Sequence, residues 1–236
     1  VADFQQLRPM SNGSMCKQFC EAMQSIELVT SYRSTCPEHL LFLNRIREGQ
    51  PDRTTLAEYF RDRHWGDADL EECVAYGLEL AAARGKVFTW LTCTNRGASA
   101  VCRAALAHLG ISDDDLLAGY PCDPTSKSNL RILFRRGLLY RLTRNLDKAR
   151  GFVNGALAVG YGELDGNEVF ILRLVSSGNL ILVHPVEEKG RRFLPLTYGY
   201  ATTVRRAQGA SLDLGCIFFD QKRRAAGRGY GYVAVS

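Results

Sequence analysis

Nine residues, "ATTVRRAQG" at 201 to 209, place Thr202, Thr203, Arg205, Arg206 and Gln208 ahead of the apolar run "LGCIFF". Arginine presents a planar fork of donors that suits phosphate oxygens better than a point-charge ammonium does. A second polar group lies at a change of secondary structure. The stretch "KVFTWLTCTNRGASAVCRAALAHLG" reads as a β-strand, a turn at Thr94 and Asn95, and a helix ended by Gly110. Polar residues at the carboxyl end of a strand stand where open α/β sheets gather their ligands. Capping of the helix by Asn95 is the competing reading of that residue.

The charge distribution gives the polar groups a context. Residues 1–126 carry 12 Lys and Arg against 17 Asp and Glu, and residues 127–236 carry 18 against 8, so the C-terminal half is the basic one. Of the 30 cationic residues 24 are Arg. A polyanionic partner accounts for this, and so does a biased genome composition; the residue counts alone leave both open.

The elements that must position these groups can be read coarsely. At 236 residues and 46% hydrophobic, the chain is long and apolar enough to bury a core. "MCKQFCEAMQ" has helical spacing, "IELVTSYR" reads as a strand running into a loop, and "CPEHLLFLNRIREG" as a helix closed by Gly49. The acidic stretch from Thr54 to Gly85 holds one or two more helices. From Arg131 to Val204 the texture changes to short β runs with Gly turns, the spacing of a small β-barrel or ribbon. The α/β pattern returns with "GCIFFD".

None of the eight cysteines forms the C-x-x-C pair of a structural zinc site, and most sit among apolar residues, so they read as reduced thiols of an intracellular protein. The four histidines have no partner at ligand spacing, and no metal site is expected on the chain itself. No apolar run reaches the ~20 residues that span a bilayer, so no membrane partner is expected.

Three separated segments then join the polar ones. They are "ADFQQLRPM" at the start, "SYRST" at 31 to 35, and "YVAVS" at the end. In order and spacing they resemble the superfamily 1 DNA helicases, most closely the PIF family, whose third motif reads G-D-F-x-Q-L-P-P-V. Asp3, Phe4, Gln6, Leu7 and Pro9 agree with it, and Ala2 and Arg8 depart. The family's A-x-T-I-H-K-S-Q-G-x-T-L is matched by "ATTVRRAQGASL" at Ala201, Thr203, Gln208, Gly209 and Leu212, with Arg205 and Arg206 in place of His and Lys. "RNLDKARGFVNG" and "FLNRIREG" are similar to two further family segments, and "YVAVS" to its last motif.

The resemblance implies an α/β fold of RecA-like (P-loop NTPase) type with a small inserted β-barrel. Residues 1–25 would end the first RecA-like domain, 26–147 begin the second, 148–194 form the barrel, and 195–236 continue the second domain. It also implies that ATP with Mg²⁺ is bound between two such domains while single-stranded DNA crosses their tops. On that basis Gln6 senses the γ-phosphate, Arg33 supplies a cation to it, and Tyr32 stacks on adenine, with Gln208 and Gly209 facing the nucleotide. Thr94, Asn95, Thr202, Thr203, Arg205 and Arg206 would meet the DNA backbone.

The chain contains no G-x-x-x-x-G-K-[ST] phosphate loop and no apolar strand ending in Asp-Glu, so the main ATP and Mg²⁺ ligands would lie outside it. The expectation is the C-terminal part of an ATP-dependent DNA helicase, a monomer moving 5′ to 3′ on single strands and at duplex junctions, inactive as this piece alone. The family's settings are DNA repair, recombination and telomere maintenance, in the nucleus or mitochondrion of a eukaryote. The alternative is a non-catalytic nucleic-acid-binding module derived from a helicase half.

Overall fold

The computed structural model describes residues 36–49, 52–62, 69–164, 168–220 and 230–235. The expected helix at 15 to 24, the strand at 26 to 33, and with them Gln6, Tyr32 and Arg33, lie outside the described residues. The described ones divide into two compact units. The first holds 36–49, 52–62, 204–208 and 230–235, and the second holds 69–203 with 209–220.

In the first unit, α1 (Pro37–Glu48) starts with Pro at a position where the missing N–H costs nothing, and it ends at Gly49, as its sequence predicts. Helix α2 (Arg53–Phe60) is capped by Asp52, whose carboxylate accepts from the Thr55 N–H at 2.7 Å. Phe42 of α1 lies flat on Tyr59 of α2, with ring centroids 3.6 Å apart, and Phe60 meets both edge-on.

The second unit begins with α3 (Leu70–Arg84), β1 (Phe88–Thr92), α4 (Asn95–His108) and α5 (Asp113–Leu117). Among its described residues the acidic stretch thus gives two helices, α2 and α3. β1 is buried along its whole length because it is the middle strand of a parallel sheet, between β9 (Ala201–Thr203) and β10 (Leu214–Phe218). Helices α3 and α4 pack on this sheet, burying Val74, Val101, Ala105 and Leu106 around Phe88 and Trp90. Gly77 makes this approach possible, since a Cβ there would overlap the buried indole of Trp90.

Among the described residues seven strands separate β1 from β9: β2 (Leu139–Leu142), β3 (Leu157–Leu164), β4 (Val169–Leu174), β5 (Leu180–Val183), β6 (Val186–Glu188), β7 (Arg191–Phe193) and β8 (Leu196–Tyr198). Five of them form an antiparallel sheet ordered β5-β4-β3-β2-β8, and β6 pairs with β7 alone. The expected small barrel is therefore not what forms: among the described residues the sheet is open, with β5 and β8 as its edges. Pro185 follows β5 and has no N–H to extend pairing, and the chain leaves into the separate β6–β7 hairpin. The sheet also takes in β2 and β8, on either side of residues 148–194.

Tyrosine hydroxyls of β2, of β8 and of the residues just after β8 hold the segment before β2 and the start of β2 itself. Tyr198 accepts from the Leu133 N–H at 3.0 Å, Tyr140 donates to the Leu133 carbonyl and accepts from the Arg135 N–H, both at 2.8 Å, and Tyr200 accepts from the Leu139 N–H at 3.1 Å. The "RNLD" stretch is also structural. Arg144 grips the fully buried Asp123 with two nitrogens, and Asn145 accepts from the Asn154 N–H at 2.8 Å across the turn leading to β3. Burial alone would raise the Asp123 carboxyl, but the Arg144 guanidinium, the N–H and hydroxyl of Thr125 and the Thr143 hydroxyl outweigh it and hold it at about 2.

The chain then enters β9 (Ala201–Thr203), a short helical turn α6 (Val204–Ala207), and β10 (Leu214–Phe218), with α7 (Tyr230–Val235) last. Among the described residues no helix is long and apolar enough to cross a membrane, and the six described cysteines are free thiols.

Candidate nucleic-acid interface

The parallel sheet gathers its polar residues at one edge. β9 and β10 flank β1 in register, Thr92 standing opposite Thr203 on one side and Phe218 on the other. The carboxyl ends of all three strands therefore lie side by side, and β1 leads there into the turn that starts α4. This is the edge at which ligands of open α/β sheets bind.

The turn is built by side chains rather than by glycine. Thr94, not Asn95, caps α4: its hydroxyl accepts from the Gly97 N–H at 2.9 Å. Thr92 is fully buried, and its hydroxyl donates to the Thr94 carbonyl at 2.9 Å and reaches the Thr202 carbonyl at 3.5 Å. β1 is thereby fixed both to its own turn and to β9.

Asp220, two residues beyond β10, closes the third side. The Cys93 N–H donates to its Oδ1 at 2.8 Å, the Thr94 N–H to its Oδ2 at 3.2 Å, and the Thr94 hydroxyl to the same Oδ2. Two backbone donors and one hydroxyl are thus collected by one carboxylate. Burial, and after it this carboxylate, push the Cys93 thiol up. Gly97 leaves the space for the carboxylate, because a Cβ there would overlap Oδ2.

The sequence-predicted residues divide by environment. Thr94 is committed to Asp220 and Gly97, while half-buried Asn95, the first residue of α4, has no side-chain hydrogen bond within the described residues. Thr202 and Thr203 are buried strand residues at 6% and 8% exposure. Arg205 is half-buried, and Arg206, Gln208 and Gly209 are exposed. Gly209 adopts φ +84°, with no atom near the place a Cβ would take. Sequence reasoning missed Thr92 and Asp220; an Asp directly after the apolar run of "GCIFFD" was the available signal.

No family model matches the chain. A mouse protein, the ATP-dependent DNA helicase PIF1, is 26% identical over 251 aligned residues covering 99% of this chain and 37% of that protein. Among solved structures, a Pif1 helicase from Bacteroides in complex with ADP-AlF3 and ssDNA superposes with a TM-score of 0.63 at 18% identity, covering 99% of this chain and 58% of that one. The Pif1 helicase of Candida albicans gives 0.55 at 15% identity, covering 85% and 51%. The chain spans little more than a third of its curated relative and about half of these solved chains. The structural likeness shows the RecA-like fold of Pif1 helicase domains, and the 26% identity to mouse PIF1 extends homology to the Pif1 helicases over nearly all of the chain's length.

Proposed function

We propose that this chain is the C-terminal part of a DNA helicase that couples ATP hydrolysis to movement along single-stranded DNA, 5′ to 3′, and unwinds duplex at junctions. The observation that carries the reading is the similarity to mouse ATP-dependent DNA helicase PIF1 along 99% of the chain, at 26% identity. The sheet supports it, because two of the expected DNA-contacting segments meet at one edge, 94–95 in the turn directly after β1 and 202–203 at the end of the neighbouring β9.

In this reading Asn95, with Arg205 and Arg206, meets the phosphate backbone, while buried Thr202 and Thr203 act through their strand's backbone and packing. Gln208 and Gly209 face the nucleotide. The positive φ of Gly209 suits a loop that brings its backbone close to a ligand. ATP and Mg²⁺ would take their remaining protein contacts from Gln6, Tyr32, Arg33 and a phosphate loop that this sequence does not contain. The small domain inserted into the second RecA-like domain is assigned to the open antiparallel sheet and its hairpin. We assign the protein to a monomeric intracellular motor, of the nucleus or mitochondrion if its source is a eukaryote.

The test is binding of a fluorescent single-stranded oligonucleotide by the chain, together with ATP hydrolysis. Binding that weakens with salt, without hydrolysis, supports the reading; turnover of ATP by these 236 residues contradicts it.

A further inference from the structure

Asp220 is the feature of this edge that the helicase reading does not use. A carboxylate beside a polyanion's path is unfavourable by charge alone. Here it nevertheless takes three donors of the turn whose next residue, Asn95, is proposed to meet DNA. Its seat is shaped for it, since Gly97 has no side chain to strike Oδ2. Thr94 is held from both sides, donating to Asp220 and accepting from Gly97.

We propose that Asp220 is a positioning residue for the single-stranded DNA contact, resting on the helicase reading above. Its carboxylate pins the Cys93 and Thr94 amides and the Thr94 hydroxyl, and so fixes where α4 begins and where Asn95 presents its amide. The donors it occupies are not offered to phosphate. Asn95 is the side chain of the turn left to make that contact.

Charge and position predict opposite signs, which makes the role testable. Asp220→Asn keeps the size of the side chain, removes the negative charge, and sets an NH₂ group against a donor. By charge alone it strengthens binding to DNA. By loss of positioning it weakens binding about tenfold, the worth of one charge-assisted hydrogen bond. Gly97→Ala provides a second variant that displaces Asp220 while keeping its charge.

The experiment measures the affinity of the 236-residue chain for a poly-dT oligonucleotide at fixed salt, with thermal unfolding recorded for each variant. Weaker binding by both D220N and G97A, with no further loss when either is combined with Asn95→Ala, is the expected result. Unchanged or tighter binding by D220N overturns the role and leaves the helicase reading standing. Losses that add fully to that of N95A also overturn it. A wild-type chain that binds no single strand overturns both.

Discussion

The Asp220 carboxylate and the Thr94 hydroxyl are joined by a hydrogen bond across 126 residues of sequence, linking the end of β10 to the turn that starts α4. With the Thr92 hydroxyl bridging to the Thr202 carbonyl, every strand of the parallel sheet is tied to the same turn. The edge proposed to carry DNA is thus held by side-chain bonds on both flanks of β1.

Replacing Arg205 and Arg206 with Ala is expected to weaken single-strand binding at all sequences alike, because bonds to phosphate carry no sequence information. The slope of log affinity against log salt should become shallower by about 0.7 for each phosphate that is no longer neutralised. Binding isotherms at several salt concentrations check this.

Acid should destabilise the unit that contains Asp123. Its carboxyl lies at about 2 in the folded chain against an ordinary 3.8, so the stabilisation is fully present above pH 3.8 and is lost as pH falls through 2. Asp123→Ala removes the pair and leaves Arg144 without its main partner, at a cost of about 3 kcal/mol. Urea unfolding from about pH 2 to neutral pH should show the wild-type advantage disappear at the acid end.

Gly77→Ala sets two effects against each other. A helix interior gains up to ~1 kcal/mol when Gly becomes Ala, while overpacking a core costs about 1–3 kcal/mol. Trp90, at 1% exposure, has nowhere to move, so overpacking wins and the variant is less stable. A lowered thermal midpoint is the expected readout.

The chain as given should hydrolyse no ATP, with or without single-stranded DNA, because its sequence lacks the Lys-bearing phosphate loop. A coupled assay for ADP release checks this, and addition of oligonucleotide should not alter the result.

Much of this architecture is legible where one local rule decides it. Gly49 and Gly85 end their helices, and the run from Phe88 to Leu91, apolar but for the small Thr89, marks a strand buried on both faces. The motif order read from the sequence points to the relatives that the comparison finds. What stays hidden in the sequence is set by pairing between distant segments. A run of short strands does not say whether its edges meet, and here β5 and β8 stay apart. The cap of α4 falls to Thr94 rather than Asn95, a choice between neighbours that both have capping side chains; only the backbone at Thr94 is extended. The donors to the Asp220 carboxylate among the described residues lie more than 120 residues earlier, beyond the reach of any local rule.

The most direct test of the central claim is equilibrium binding of a fluorescent poly-dT strand to the chain, titrated at rising salt. The account predicts saturable binding that weakens linearly in log affinity against log salt and is reduced by the Arg205 and Arg206 substitutions. Absence of binding at low salt, or binding indifferent to salt and to both arginines, would contradict it.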